Sequence, residues 1–185
     1  MVRSIAFTTF AGPWGPYHLA ATDRGIVAGE WLTTEDAFLS GLASRLEGLA
    51  EGGDDETRRL DAAGPVVEAL LRGETVDGSD IEIDLDDRPA WDRRVLEAVR
   101  QLGWGETASY GGIARRIGAP RAARAVGGAL GRNPITLLIP CHRVIAGDGT
   151  LGGYGGEGWG DRDEQLVLKA ALLRREGRTV RRRGV

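Results

Sequence analysis

The sequence predicts an α+β protein made of two small domains, residues 1–87 and 88–185, and three observations predict it. The first half alternates short apolar runs with turn residues, as antiparallel strands do. The second half spaces its apolar residues for helices. The charge also reverses between them. Residues 1–87 carry 6 arginines against 18 acidic residues, a net −12, and residues 88–185 carry 17 arginines and one lysine against 9 acidic residues, a net +9. The basic half is the one suited to an anionic polymer.

In the first half, Ile5 to Phe10, Tyr17 to Thr22 and Gly25 to Trp31 read as strands, with Asp23-Arg24-Gly25 as a tight turn. Thr33-Thr34 can cap a helix whose apolar stripe is Phe38, Leu39, Leu42, Leu46 and Leu49. Gly52-Gly53-Asp54-Asp55 breaks it, and a second helix runs around Val66, Val67, Leu70 and Leu71. Ile81, Ile83 and Leu85 alternate like an edge strand with acidic residues outward. No chemistry is recognisable here.

The second half opens with a helix carrying Trp91, Val95, Val99 and Leu102 on one face and stopping at Gly103. Ser109 can cap a short helix through Ile113, Ala114 and Ile117, which ends at Gly118. Pro120 then sits where the first turn of the next helix would begin. Helix, tight turn and helix is the pattern of a helix-turn-helix. The third helix, Arg121 to Leu130, is rich in small residues that allow close approach, either to a neighbouring helix or to a DNA groove with Arg121 and Arg124 reaching phosphates or bases.

Cys141 is the single cysteine, so no internal disulfide can form. With only His18 and His142 beside it a Cys/His zinc site is not expected, nor is any other metal or cofactor. The start of the chain lacks the apolar run of a signal peptide, and no stretch is long enough to span a membrane, so a cytoplasmic protein is expected. Ile135 to Ile139 is apolar and reads as a buried strand that delivers Pro140-Cys141-His142-Arg143-Val144 at its end. Thiolate is the reactive form of cysteine, and a neighbouring imidazole can accept its proton or stabilise the anion.

Pro140-Cys141-His142-Arg143-Val144 resembles the active-site motif of the O6-alkylguanine-DNA alkyltransferases, the methylated-DNA–protein-cysteine methyltransferases. Ser109-Tyr110, the run Ala122 to Ala129, and Arg132-Asn133-Pro134 fall at that family's spacing from the cysteine. The resemblance covers roughly residues 89–155. It implies a small ribonuclease-H-like α/β first domain, a winged helix-turn-helix-like second domain, and direct repair of O6-alkylguanine in double-stranded DNA by a monomer. The alkyl group passes irreversibly to Cys141 after the base is flipped out.

By the same resemblance, Arg124 fills the space the base leaves, while Ala122, Ala123, Ala125 and Gly127 let the helix sit close. Tyr110 donates to the guanine, and carbonyls of Cys141 and Val144 accept from its exocyclic amine. Asn133 holds the cysteine segment, His142 keeps the thiol ionised through a bound water, and Glu176 orients the imidazole. Pro140, Tyr154 and Trp159 complete the pocket. Gly155 stands where a serine often donates to O6, which leaves that contact to a backbone N–H. The glycine-rich stretch from Gly152 to Leu168 is longer than in compact members and is expected to act as a mobile lid, with Tyr154 as one wall and Trp159 as a cover. Three alternatives stay open: a Cys-His hydrolase, a damage-binding protein of the alkyltransferase-like kind, and a winged-helix regulator.

Overall fold

The computed structural model describes residues 3–155 and 161–182. Trp159 and the centre of the expected lid lie outside the described residues. The chain forms two compact units, one of residues 1–88 with 134–138 and one of residues 89–133 with 139–185.

In the first unit, β1 (Arg3–Gly12), β2 (Gly15–Thr22) and β3 (Gly25–Glu30) form an antiparallel meander, with Ala6 opposite Ala21 and His18 opposite Glu30. The three strands lie where the alternating runs predict them. Helix α1 (Glu35–Arg45) begins at Thr34, whose Oγ1 accepts from the Ala37 N–H at 3.2 Å, as an N-cap should. Its Phe38 and Leu42 pack on Ile5, Ala20, Val27 and Ala28. Leu49, expected on the helical stripe, instead opens β4 (Leu49–Glu51). The left-handed backbone at Glu47 (φ 58°) and Gly48 turns the chain there, and β4 pairs parallel with β1 to give the order β3-β2-β1-β4.

Helix α2 (Asp54–Arg72) packs against β1, β2 and β3 and ends at Gly73 in the left-handed conformation. The expected strand at Ile81, Ile83 and Leu85 is reduced to one bridge, Ile26 with Ile83. Asp84 points inward rather than outward: its buried carboxylate accepts from Arg3 at 2.7 Å, Thr22 Oγ1 at 2.8 Å and the Asp86 N–H at 3.0 Å. Alternation mispredicts this segment because a carboxylate with three donors can be buried. Gly25 is required here, since a Cβ would stand 2.6 Å from the Glu82 carbonyl oxygen at φ 149°.

Ile135 to Ile139 is buried as expected, but only Ile135 bridges, to Gly29, and Leu137 adopts φ 70°. The run is a turn rather than a strand. Its backbone bonds go to Gly29: the Gly29 N–H donates to the Pro134 carbonyl and the Thr136 N–H to the Gly29 carbonyl, each at 2.8 Å. Tyr17 adds a 2.6 Å hydrogen bond to the Thr136 carbonyl.

The second unit contains α3 (Ala90–Arg100), β5 (Ala108–Ser109), α4 (Tyr110–Arg116), α5 (Ala123–Gly131), β6 (Val144–Ile145) and α6 (Arg162–Arg175). The apolar face of α3 is buried at Val95, Val99 and the following Leu102, as its periodicity predicts. Ser109 caps α4 by accepting from the Gly112 N–H at 3.0 Å. Helix α5 starts two residues later than expected. Pro120 and Arg121 lie in the preceding turn and Ala122 is the N-cap. Strands β5 and β6 pair parallel for two residues.

Candidate active site

Cys141 begins a single 3₁₀ turn, Cys141–Arg143, with Pro140 as its cap. The thiol is therefore delivered by a buried turn and not by a strand end. A tight turn fixes three consecutive side chains in different directions, which lets Cys141, His142 and Arg143 serve separate purposes while all are buried.

Glu176, the C-cap of α6, meets two of these side chains. Its carboxylate accepts from His142 Nε2 at 2.9 Å, from Arg143 Nε at 2.9 Å and Arg143 Nη2 at 2.8 Å, and from the Gly105 N–H at 3.2 Å. Arg143 also donates to the Leu102 carbonyl. Burial alone would raise the Glu176 pKa, but the His142 and Arg143 hydrogen bonds outweigh it and hold the carboxyl at about 2. Glu176 is thus an anion that can only accept, so His142 must carry its proton on Nε2. Nδ1 is then the lone pair, and it is buried with no hydrogen-bond partner among the described residues. Burial pushes the His142 pKa down, which keeps the ring neutral and able to take a proton.

Burial raises the Cys141 pKa, while Asn133, the charge of Lys169 and Tyr154 act in the opposite direction. Asn133 also donates from Nδ2 to the Ile139 carbonyl at 3.0 Å, tying the end of α5 to the residue two before the cysteine. The thiol faces a cavity of about 880 Å³ whose lining includes Tyr110, Gly127, Arg132, Tyr154, Gly155 and Gln165. Tyr110 opens α4, and its hydroxyl donates to the Gly153 carbonyl at 3.2 Å. A Cβ on Gly127 would lie 3.7 Å from the Tyr110 ring, an ordinary contact distance. The small residue here therefore leaves room along α5 rather than avoiding a clash with Tyr110.

The structure brings Cys141, Tyr110, Tyr154 and Gly155 together around one cavity, while His142 and Glu176 are bonded to each other and Asn133 to the Ile139 carbonyl outside its lining. Val144 is buried at the start of β6, and its carbonyl accepts from Lys169. Ser109 is used as a helix cap, while Arg121, Arg124 and Ala125 stand exposed, and Ala122 and Ala123 are half-buried along the turn and start of α5. Arg132, matched only as part of a motif, pairs both its Nε and Nη2 with buried Asp92 at 2.8 Å.

Sequence reasoning missed Lys169. Its ammonium is fully buried and donates to the carbonyls of Val144, Leu151 and Gly153 at 2.5, 2.7 and 2.8 Å. Burial lowers its pKa to about 8, partly offset by Cys141. Three protons on a compact ammonium match three carbonyls, a geometry the flat guanidinium of arginine does not offer. The available signal was that Lys169 is the sole lysine among 24 basic residues.

A pair of short helices joined by a turn, a cavity with one buried thiol in its lining, and an imidazole–carboxylate pair at the residue next to that thiol define a class of protein built to present a cysteine nucleophile. Residues 90–178 match the family model described as 6-O-methylguanine DNA methyltransferase, DNA binding domain. The chain is 34% identical over 184 residues to a methylated-DNA–protein-cysteine methyltransferase of Metallosphaera sedula, covering 96% of each chain. A protein of the same name from Mycolicibacterium paratuberculosis is 57% identical over 77 residues, 42% of this chain and 46% of that relative, so this alignment spans about half the relative's length. Mycobacterium tuberculosis OGT in complex with DNA superposes with a TM-score of 0.70 at 35% identity, covering 94% of each chain. The chain belongs to the methylated-DNA–protein-cysteine methyltransferase family.

Proposed function

We propose that the protein repairs double-stranded DNA by transferring the alkyl group of O6-alkylguanine irreversibly to Cys141, once per molecule. The observation that carries this is the tautomer forced on His142 by Glu176, which leaves Nδ1 as the proton acceptor next to a cysteine that faces an open cavity. The thiol proton passes to Nδ1 through a water. The thiolate attacks the alkyl carbon, the S–C bond forms as the C–O6 bond breaks, and the guanine leaves with the electron pair on oxygen. Tyr110 exchanges its bond to the Gly153 carbonyl for one to the base. Carbonyls of Cys141 and Val144 select the exocyclic amine, and Asn133 holds the cysteine segment.

The first unit takes the role of a ribonuclease-H-like domain, 1–87, with its meander and parallel β4. The second takes that of a winged helix-turn-helix-like domain, 88–185, in which α5 approaches the minor groove, exposed Arg124 fills the gap left by the flipped base and Arg121 reaches the backbone. The protein works as a cytoplasmic monomer.

Intact-mass spectrometry after incubation with an O6-methylguanine duplex tests this. The expected product carries one methyl group on the Cys141 peptide and forms stoichiometrically. Repeated turnover with no gain in mass would identify a hydrolase instead. Arg124→Ala is expected to slow repair of duplex DNA by about 100-fold, with little effect on free O6-benzylguanine, because the small substrate needs no extrusion. Equal losses on both substrates would place Arg124 in the fold.

A further inference from the structure

A base that enters the cavity brings the phosphates of its own strand to the cavity's rim. Cys141 is buried, whereas Gly128 and Arg132 line the same cavity and stand exposed, so the way from solvent to the thiol runs along the C-terminal half of α5. Arg124, Gly128 and Arg132 follow at four-residue spacing and share one face of that helix. The face expected to carry Arg124 into the minor groove therefore carries Arg132 two turns further on, about 12 Å along the axis. Arg132 thus stands between the point of extrusion and the cavity that receives the base.

Arg132 is also held in place. Its Nε and Nη2 each donate to Asp92, in the first turn of α3, at 2.8 Å. The Asp92 side chain is 1% exposed and that of Arg132 is 55% exposed, so the anion lies inside and the cation faces outward. A guanidinium carries five N–H groups in a fixed fork. Asp92 takes two of them along one edge, and Nη1 with the outer N–H of Nη2 forms a second edge that matches two oxygens of a phosphate. Nη1 lies beside Gly128, where a Cβ would stand 3.4 Å from it, so the glycine keeps this edge uncovered. A loose arginine loses side-chain freedom when it binds, and the ion pair to Asp92 has already imposed that loss. The last carbonyls of α5 present the negative end of the helix dipole, which disfavours a phosphate, and a cation at the C-cap offsets it.

We propose that Arg132 is a phosphate clamp for the flipped nucleotide: its outer edge, Nη1 and Nη2, donates to one of the two phosphates flanking the alkylated base, and Asp92 is the positioning residue that aims it. This rests on the alkyltransferase reading above and adds to it a DNA contact at the C-cap of α5.

A neutral methylphosphonate, placed singly at the phosphate 5′ or 3′ to O6-methylguanine, removes the charge and nearly keeps the shape. Affinity for these duplexes and for the unmodified one is measured by fluorescence anisotropy in a Cys141→Ala background, so that binding is read without transfer. Arg132→Lys keeps the charge and an ion pair with Asp92 but has no second edge, because an ammonium lacks the fork. With Arg132 present, one of the two methylphosphonates is expected to weaken binding about fivefold or more. Arg132→Lys is expected to bind the unmodified duplex about fivefold more weakly and to be nearly indifferent to that same methylphosphonate. Melting temperatures report whether the variant folds. Should Arg132→Lys not fold, the double variant Arg132→Gln with Asp92→Asn, which pairs two amides in place of the ions, decides instead. Binding by Arg132→Lys as tight as that of the parent overturns the proposal. So does weaker binding with the methylphosphonate effect intact, which would make the Asp92–Arg132 pair a tie of the fold. If the wild-type protein acquires no methyl group from the unmodified duplex, the proposed function fails and this inference with it, whereas wild-type transfer without the coupling defeats the inference alone.

Discussion

Cys141→Ala is expected to reduce alkyl transfer to background while leaving duplex binding within about twofold of wild type. The two effects separate because the thiol is buried at the cavity floor, whereas the exposed arginines that would meet phosphates lie on and before α5. Binding should weaken steeply with added salt, since the second half, with its net +9, would displace counterions. Intact-mass spectrometry and a fluorescence-anisotropy titration on the same variant check both parts. Methyl removal from DNA by Cys141→Ala would sink the mechanism outright.

Glu176→Ala should have the largest effect on stability, a loss of about 3–5 kcal/mol by urea unfolding, because it strands a buried guanidinium and leaves His142 without its orienting partner. Glu176→Gln is the gentler probe, keeping the size while removing the charge. Its pH dependence follows from the depressed carboxyl. The folded-state value is about 2 against an ordinary 4.5, so the anion contributes its full stabilisation above pH 4.5 and loses it as pH falls towards 2. His142 works in the same direction. Its folded pKa is lowered, so acid protonates the unfolded chain first and favours unfolding below about pH 6.5. Wild type should therefore lose stability progressively from pH 6.5 downwards. Glu176→Gln should be flatter between pH 4.5 and 2, and slower in transfer by about 100-fold at neutral pH. An acid limb as steep in Glu176→Gln as in wild type would show that other carboxylates govern acid unfolding.

What was legible in the sequence was local. The Ser109 cap, the α3 stripe and the three strands of the meander each depend on residues close along the chain, and each formed where its pattern placed it. The partnership of His142 with Glu176 spans 34 residues and was reachable only through the family motif. The misreadings share a cause. Ile135 to Ile139 has strand composition, but its backbone bonds to Gly29 and the positive φ at Leu137 make it a turn, and no propensity encodes a partner chosen more than 100 residues away. Asp84 and Lys169 reverse the rule that charged residues face water because each finds three partners, and partner sets are tertiary facts.

Lys169 also gives the protein an intrinsic reporter. Every other basic side chain apart from the two histidines is an arginine, so the lone side-chain amine is shut inside the folded second unit. Amine-directed acylating reagents can reach it only when that unit opens, because the folded unit buries the ammonium completely and holds all three of its protons on carbonyls. The extent of acylation of the Lys169 peptide, followed over time in dilute reagent, therefore measures the opening equilibrium without any engineered label. For the same reason, lysine-directed tagging by cellular machinery would find its one side-chain acceptor only on molecules that have already begun to unfold.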